Sequence, residues 1–236
     1  MQDPIFIVGA PGSGTSLVAG VIHYCGAPSG AVVKPTPEVR QFLYNGTSRN
    51  PKGFFENLDL IDKLYHFMAK KEGWPHRKLL NDNIEGFLKD EFGKAGDPWS
   101  MKFLGMLNTD MDNEGTGWPL WKKYFPKAKW VIVQRPLEDI FSSVKGMSGP
   151  KRHKLWAMDA MHQIGLIKQQ PDMECYEIWP FSAIKNPQLI PFKELISNLG
   201  LEWNNEAVLD FVDPSLCHHD IGAHAETATE KVSLAL

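Results

Sequence analysis

Apolar residues along the chain follow two rhythms. Ile5-Phe6-Ile7-Val8, just after Pro4, is an unbroken run of β-branched and aromatic residues, the pattern of a strand buried on both faces. Gly and Ser then dominate until Leu17, after which Leu17, Val18, Val21 and Ile22 recur at helical spacing and predict a helix over 15–24. The order is strand, glycine-rich turn, helix. Lys129–Gln134 (KWVIVQ) predicts a second clear strand, and Pro136 suits the first turn of a helix following it. Trp99–Phe103 and Cys175–Trp179 predict two more strands.

Between these strands the helical rhythm returns. Leu58, Leu60, Ile61, Leu64, Tyr65 and Met68 predict an amphipathic helix with Asn57 at its N-cap. Further helices are predicted over 84–92, 118–125, 153–169, 187–199 and 204–212, with Pro126 and Gly200 as stop signals. Residues 26–53, rich in Gly and Pro, read as an irregular excursion. Alternating strands and helices imply an α/β fold of three layers, α/β/α, with a mainly parallel central sheet and a P-loop-like phosphate-binding turn. No internal repeat or long linker divides the chain, so 1–221 read as one domain. Residues 222–236, rich in Ala, Thr and Glu, read as a C-terminal tail with the composition of a mobile segment.

Composition narrows the function. The 236 residues suffice for a substantial core, and 43% apolar against 22% charged residues exclude a wholly disordered chain. Lys and Arg number 25 and Asp and Glu 28, a formal charge of -3, so no global basic field draws the protein to nucleic acid or an anionic membrane. Any anion site must be local. Cys25, Cys175 and Cys217 form no close pair, which fits a reducing compartment. The N-terminal segment lacks a basic n-region and no stretch reaches the ~18 apolar residues of a membrane span, so a cytoplasmic location is expected. Cys217-His218-His219 with His224 matches no zinc spacing, and no metal is expected.

Gly9-Ala10-Pro11-Gly12-Ser13-Gly14-Thr15-Ser16 has the GxxxxG spacing of a phosphate-binding loop and the strand-to-helix setting that such a loop requires. Backbone N–H groups converge on phosphate oxygens in such a turn, and the helix N-terminus adds about half a positive charge. Ser13, Thr15 and Ser16 add hydroxyl donors. The bland alternative is a turn that only reverses the chain. Thr15 stands where an NTPase loop carries its lysine, which counts against ordinary kinase or ATPase chemistry.

Lys129–Val144 reads KWVIVQRPLEDIFSSV, a strand that delivers Arg135 at its carboxyl end and a helix that carries Ser143 eight positions on. Ligands of open α/β sheets bind beyond the carboxyl ends of the strands, so Arg135 and the loop can face one cleft. An Arg fork with a hydroxyl can hold a phosphate. An Arg at a strand end is also often no more than a solvated or ion-paired residue.

Together these segments resemble the sulfotransferase superfamily, whose donor is 3'-phosphoadenosine 5'-phosphosulfate and whose spent donor is 3',5'-adenosine bisphosphate. Pro11, Ser13, Gly14, Thr15 and Ser16 match its loop pattern GxP[KR]SGTT, which binds the 5'-phosphosulfate, and Arg135 and Ser143 match its 3'-phosphate site. Asn50–Asn57 (NPKGFFEN) is similar to the NPxG[FY][WF]E segment of bacterial and Golgi-like members, and Lys102 matches a lysine in a W-x-x-K-[DP] type segment. Leu199-Gly200-Leu201 and Phe211–Leu216 are similar to the family's closing helices, so the resemblance spans residue 4 to about 219. One position departs: Gly12 stands where the family has a basic residue. Lys34, Lys52 or Lys102, or backbone N–H groups alone, are the candidate replacements.

The resemblance implies sulfonate transfer to a hydroxyl or amine of a small-molecule or carbohydrate acceptor. It points to Glu56 as the base and Lys102 as the group that polarises the sulfonate. His23, His66 and His76 are alternative bases. Lys151, Arg152 and Lys154 read as part of a basic loop, 146–154, that closes over the 3'-phosphate, attracts an anionic acceptor or is simply solvated. Two other classes stay open at this point: a P-loop kinase of a nucleotide or small metabolite, and a nucleotide-binding module without catalysis.

Overall fold

The computed structural model of the chain describes residues 3–29, 55, 98–102, 107, 117–144 and 150–214. The helices predicted over 57–68 and 84–92, and the tail 222–236, lie outside these residues. Among those described, β1 (Ile5–Gly9), β2 (Ser100–Lys102), β3 (Lys129–Val133) and β4 (Glu174–Ile178) form one sheet in the order β2-β1-β3-β4. Every pairing is parallel. Helices α1 (Thr15–Tyr24), α2 (Trp118–Tyr124), α3 (Leu137–Val144), α4 (Pro150–Lys168), α5 (Pro180–Ala183), α6 (Ile190–Asn198) and α7 (Asn205–Phe211) flank it.

Strand alternation divides the core into two layers of packing. Phe6 and Val8 of β1 join Trp130 and Ile132 of β3 on one face, against Trp121, Ile140, Ala157 and Ile164. The intervening residues Ile5, Ile7, Val131 and Val133 face the other way, against Val18, Ile22, Phe192 and Val208. The α/β/α layering predicted from the sequence follows directly. Phe6 is the hub of the first layer, its ring meeting Trp99, Trp121, Phe125 and Trp130 edge-on at 5.0–6.1 Å between centroids. Three of the tryptophans are therefore structural.

The helix ends follow the local chemistry of their residues. α6 closes through Gly200, whose φ of 75° lets Leu201 N–H reach the Ile196 carbonyl and its own N–H reach that of Ser197, both at 3.0 Å. Lys129 Nζ adds a bond of 2.9 Å to the Leu199 carbonyl, placing a cation at the negative end of that helix. Asn204 caps α7 by accepting from Ala207 N–H at 3.1 Å. α4 begins at Pro150, so Lys151–Lys154 belong to a helix rather than the predicted loop. A proline at the first helical position fits its fixed φ. Lys154 Nζ lies 5.1 Å from the centre of the Phe141 ring on α3. No helix among the described residues is long and apolar enough to cross a membrane.

The far end of α1 packs closely. A methyl group on Gly20 would stand 2.1 Å from Phe211 Cζ and 2.9 Å from Phe55 Cε2. Gly20→Ala should therefore destabilise the fold by about 1–3 kcal/mol, because overpacking outweighs the gain in helix propensity. Adding Phe211→Leu should recover part of the loss; thermal or urea unfolding in which G20A matches or exceeds the wild type would contradict this packing.

His23, in the last turn of α1, lies against Phe55 and Tyr24 with ring centroids 5.4 and 5.2 Å away. Its Nδ1 is buried and has no hydrogen-bond partner among the described residues. Burial pushes the imidazole pKa below its ordinary value. The unfolded chain then binds the proton more readily, so the stabilising contribution is complete above the ordinary value of about 6.5 and is lost as pH falls through the lower folded value. Urea midpoints should fall between pH 7 and pH 5.5, and His23→Phe should flatten that dependence; an unchanged slope in the variant would exclude His23 as its source.

Candidate functional site

β1 lies inside the sheet, and the chain leaves it for β2 on one side before returning to β3 on the other. Such a reversal opens a crevice between the carboxyl ends of the two strands, the position where open α/β sheets bind ligands. β1 and β3 run in register from Ile5 opposite Lys129 to Gly9 opposite Val133. The glycine-rich loop that follows Gly9 and the segment carrying Arg135 thus flank one crevice.

Glycines shape the loop for specific reasons. A methyl group on Gly9 would stand 2.6 Å from Ser13 Oγ and 2.8 Å from Thr15 Cγ2, so the loop can fold back over this position only without a side chain. Ser13 N–H donates to the Ala10 carbonyl at 3.0 Å and closes the turn around Pro11. Gly14, with φ of 96°, is the N-cap of α1 and supplies no side-chain cap. The first N–H groups of a helix have no intrahelical acceptor, so this N-terminus presents donors toward the crevice. Ser13 is fully buried and its Oγ has no hydrogen-bond partner among the described residues. Thr15 is buried as well, and Ser16 is half-buried.

Two cations reach this loop from other strands. Lys102 ends β2, where Ile7 is its neighbour on β1, and its Nζ donates to Ser16 Oγ at 2.8 Å. Arg135 Nη1 donates to the Gly12 carbonyl at 2.6 Å. Both side chains are only 4% exposed. Position 12, where the sequence resemblance leads to the expectation of a basic residue, is a glycine with an accepting carbonyl. Gly12 has φ of 81°, a backbone conformation in which a lysine or arginine is strained. Its carbonyl accepts a hydrogen bond from Arg135.

The sequence-predicted residues are thus divided. Pro11, Gly12, Ser13, Gly14, Thr15, Ser16, Lys102 and Arg135 come together around one loop. Ser143 is half-buried in the last turn of α3, on the helix that follows Arg135. Glu56, Lys34, Lys52, His66 and His76 lie outside the described residues. His23 is eight residues beyond the start of α1 at Thr15, about 12 Å along the axis from the glycine-rich loop. That placement removes it as a base acting at the loop.

Sequence reasoning missed Phe181. It lies in α5, a single turn after β4, and the guanidinium carbon of Arg135 stands 4.1 Å from its ring centre. A helix of four residues is too short to leave a periodic signal; the available clue was an aromatic residue just past a strand's carboxyl end. A hollow of about 530 Å³ lined by Asp3, Lys127, Lys129, Asp172 and Glu174 lies at the opposite edge, at the amino ends of the strands. It contains none of the predicted site residues.

No protein-family model and no curated protein sequence matches the chain. Among solved structures it is similar to the sulfotransferase domain of the Synechococcus PCC 7002 olefin synthase, with a TM-score of 0.55 and 14% identity over 100% of this chain and 96% of that one. It is also similar to the sulfotransferase STF1 of Mycobacterium tuberculosis, with a TM-score of 0.51 and 16% identity over 89% of this chain and 71% of that one. At such identities the likeness is one of architecture: the chain has the α/β fold of sulfotransferase domains.

Proposed function

We propose that the protein is a sulfotransferase that takes 3'-phosphoadenosine 5'-phosphosulfate as donor and transfers its sulfonate to a hydroxyl or amine of a small-molecule or carbohydrate acceptor. The observation that carries this reading is the meeting of two buried cations, Lys102 and Arg135, at one glycine-rich loop. A donor that carries several anionic groups needs more than one cation near the loop that receives it. Ser13 Oγ, buried and without a partner among the described residues, gives the loop a hydroxyl able to meet an anion there. The rival kinase reading accounts for the loop, but leaves the Thr15 substitution and the Arg135 and Ser143 pair unexplained.

The bound donor supplies an activated sulfonate, whose S–O bond to the 5'-phosphate breaks as a bond to the acceptor oxygen or nitrogen forms. The chain's residues divide the remaining work. Loop N–H groups and the hydroxyls of Ser13, Thr15 and Ser16 hold the 5' end of the donor. Lys102, which reaches the first turn of α1 from the end of β2, offsets negative charge on the sulfonate and the departing oxygen. Arg135 and Ser143 hold the 3'-phosphate and contribute binding and orientation. Glu56 takes the acceptor proton.

Thermal shifts with 3',5'-adenosine bisphosphate and with ATP-magnesium test the donor. The bisphosphate should stabilise the protein more; preference for ATP-magnesium would support the kinase reading instead. An acceptor panel then distinguishes a catalyst from a binding module.

The individual roles are tested by substitution. Lys102→Met should lower turnover roughly 100- to 1,000-fold, the usual scale for losing a preorganised electrostatic group. Glu56→Gln should lower it by roughly 100- to 10,000-fold while bisphosphate binding persists. Near-normal turnover in either variant removes that residue from its role.

A further inference from the structure

The geometry points to Phe181 as the positioning residue for Arg135, and through it as the determinant of preference for a nucleotide bearing a 3'-phosphate. This rests on the donor reading above. Arg135 is only 4% exposed, so its orientation is set by the protein rather than by water. Its guanidinium carbon stands 4.1 Å from the Phe181 ring centre, well inside the ~6 Å range of a cation–π contact. Its Nη1 is fixed on the Gly12 carbonyl at 2.6 Å. A planar group held over a ring face and pinned at one corner has a defined direction. The guanidinium carries five N–H donors, of which the Gly12 bond uses one.

Phe181 is itself well placed to act this way. Pro180 Cγ and Phe181 Cε2 lie 2.8 and 3.1 Å from where a methyl group on Gly14 would stand, so both pack directly against the loop. Ala183 N–H reaches the Trp179 carbonyl at 2.9 Å and closes the turn that carries the ring. The ends of β3 and β4 are joined by Gln134 N–H to the Ile178 carbonyl at 2.8 Å and Gln134 Nε2 to Glu177 Oε2 at 3.1 Å. Arg135 follows one strand and Phe181 the other. One ring therefore contacts both halves of the site, the loop at Gly14 and the cation at Arg135.

Titration calorimetry of the full chain with 3',5'-adenosine bisphosphate and with adenosine 5'-monophosphate, which lacks the 3'-phosphate, tests this. The wild type should favour the bisphosphate. Phe181→Leu keeps an apolar side chain against Gly14 but removes the π face; it should weaken bisphosphate binding about ten- to thirty-fold more than it weakens monophosphate binding. Phe181→Tyr should restore the preference. Pentafluorophenylalanine at 181 retains the aromatic scaffold but reverses its quadrupole, so it should lose the preference even if the leucine variant fails to fold. A wild-type ratio in the leucine or pentafluorophenylalanine protein overturns the inference and leaves the donor reading standing. A wild type that binds both nucleotides equally overturns both.

Discussion

The bond from Arg135 to the Gly12 carbonyl ties the end of β3 to the loop after β1, and the candidate site depends on this tie. Removing a guanidinium from water costs several kcal/mol unless its donors and charge are met, so the surrounding loop cannot be an arbitrary turn. Gly12 meets part of that demand by adopting φ of 81°, with its carbonyl facing the cation. Gly9 allows the loop to fold back, and the Phe181 ring covers the guanidinium. Loop conformation and the placement of the guanidinium are thereby coupled through one buried charge.

Lys102 brings a second charge by a different route. β2 is only three residues long, and a one-residue slip against β1 would turn Lys102 to the opposite face and replace it with Met101 or an unpaired residue. The register is held outside the strand itself. Ser100 Oγ donates to the Ala27 carbonyl at 2.7 Å and is within 2.9 Å of Ser29 Oγ, while Ser100 N–H bonds the Pro28 carbonyl at 3.0 Å. These contacts join β2 to the segment leaving α1, the helix whose first turn Lys102 reaches. A loop without its own lysine thus receives one from a neighbouring strand, provided that this short pairing is exact in register.

The backbone plan was legible because β1 and β3 are unbroken apolar runs buried on both faces, and because Gly and Pro mark the turns around them. Arg135 could be placed at the crevice from its position at the end of β3. Its partner could not: Gly12 is 123 residues away and contributes only a backbone carbonyl, which no side-chain pattern encodes. The pairing of Lys102 with Ser16, across 86 residues, was hidden for the same reason. Phe181 escaped because α5 is a single turn, shorter than the period that would reveal a helix. The start of α4 was misread because Lys151–Lys154 resemble a solvated loop, whereas Pro150 can open a helix through them.

The formal charge of -3 gives no guide to the field inside this crevice. A buried charge is screened far less by solvent and salt than an exposed one, so Lys102 and Arg135 count for more there than distant surface carboxylates. The acid nearest this end of β4, Glu177, is engaged by Lys168 Nζ at 2.6 Å and by Gln134 Nε2 at 3.1 Å. At the opposite edge of the sheet, Asp172 is paired with Lys122 at 2.6 Å. Exposed pairs of this kind contribute little stability, on the order of 0–1 kcal/mol. Two cations buried at the strand ends thus stand in a chain of acidic formal charge, a contrast that a whole-chain sum does not carry because it weighs buried and solvated charges alike.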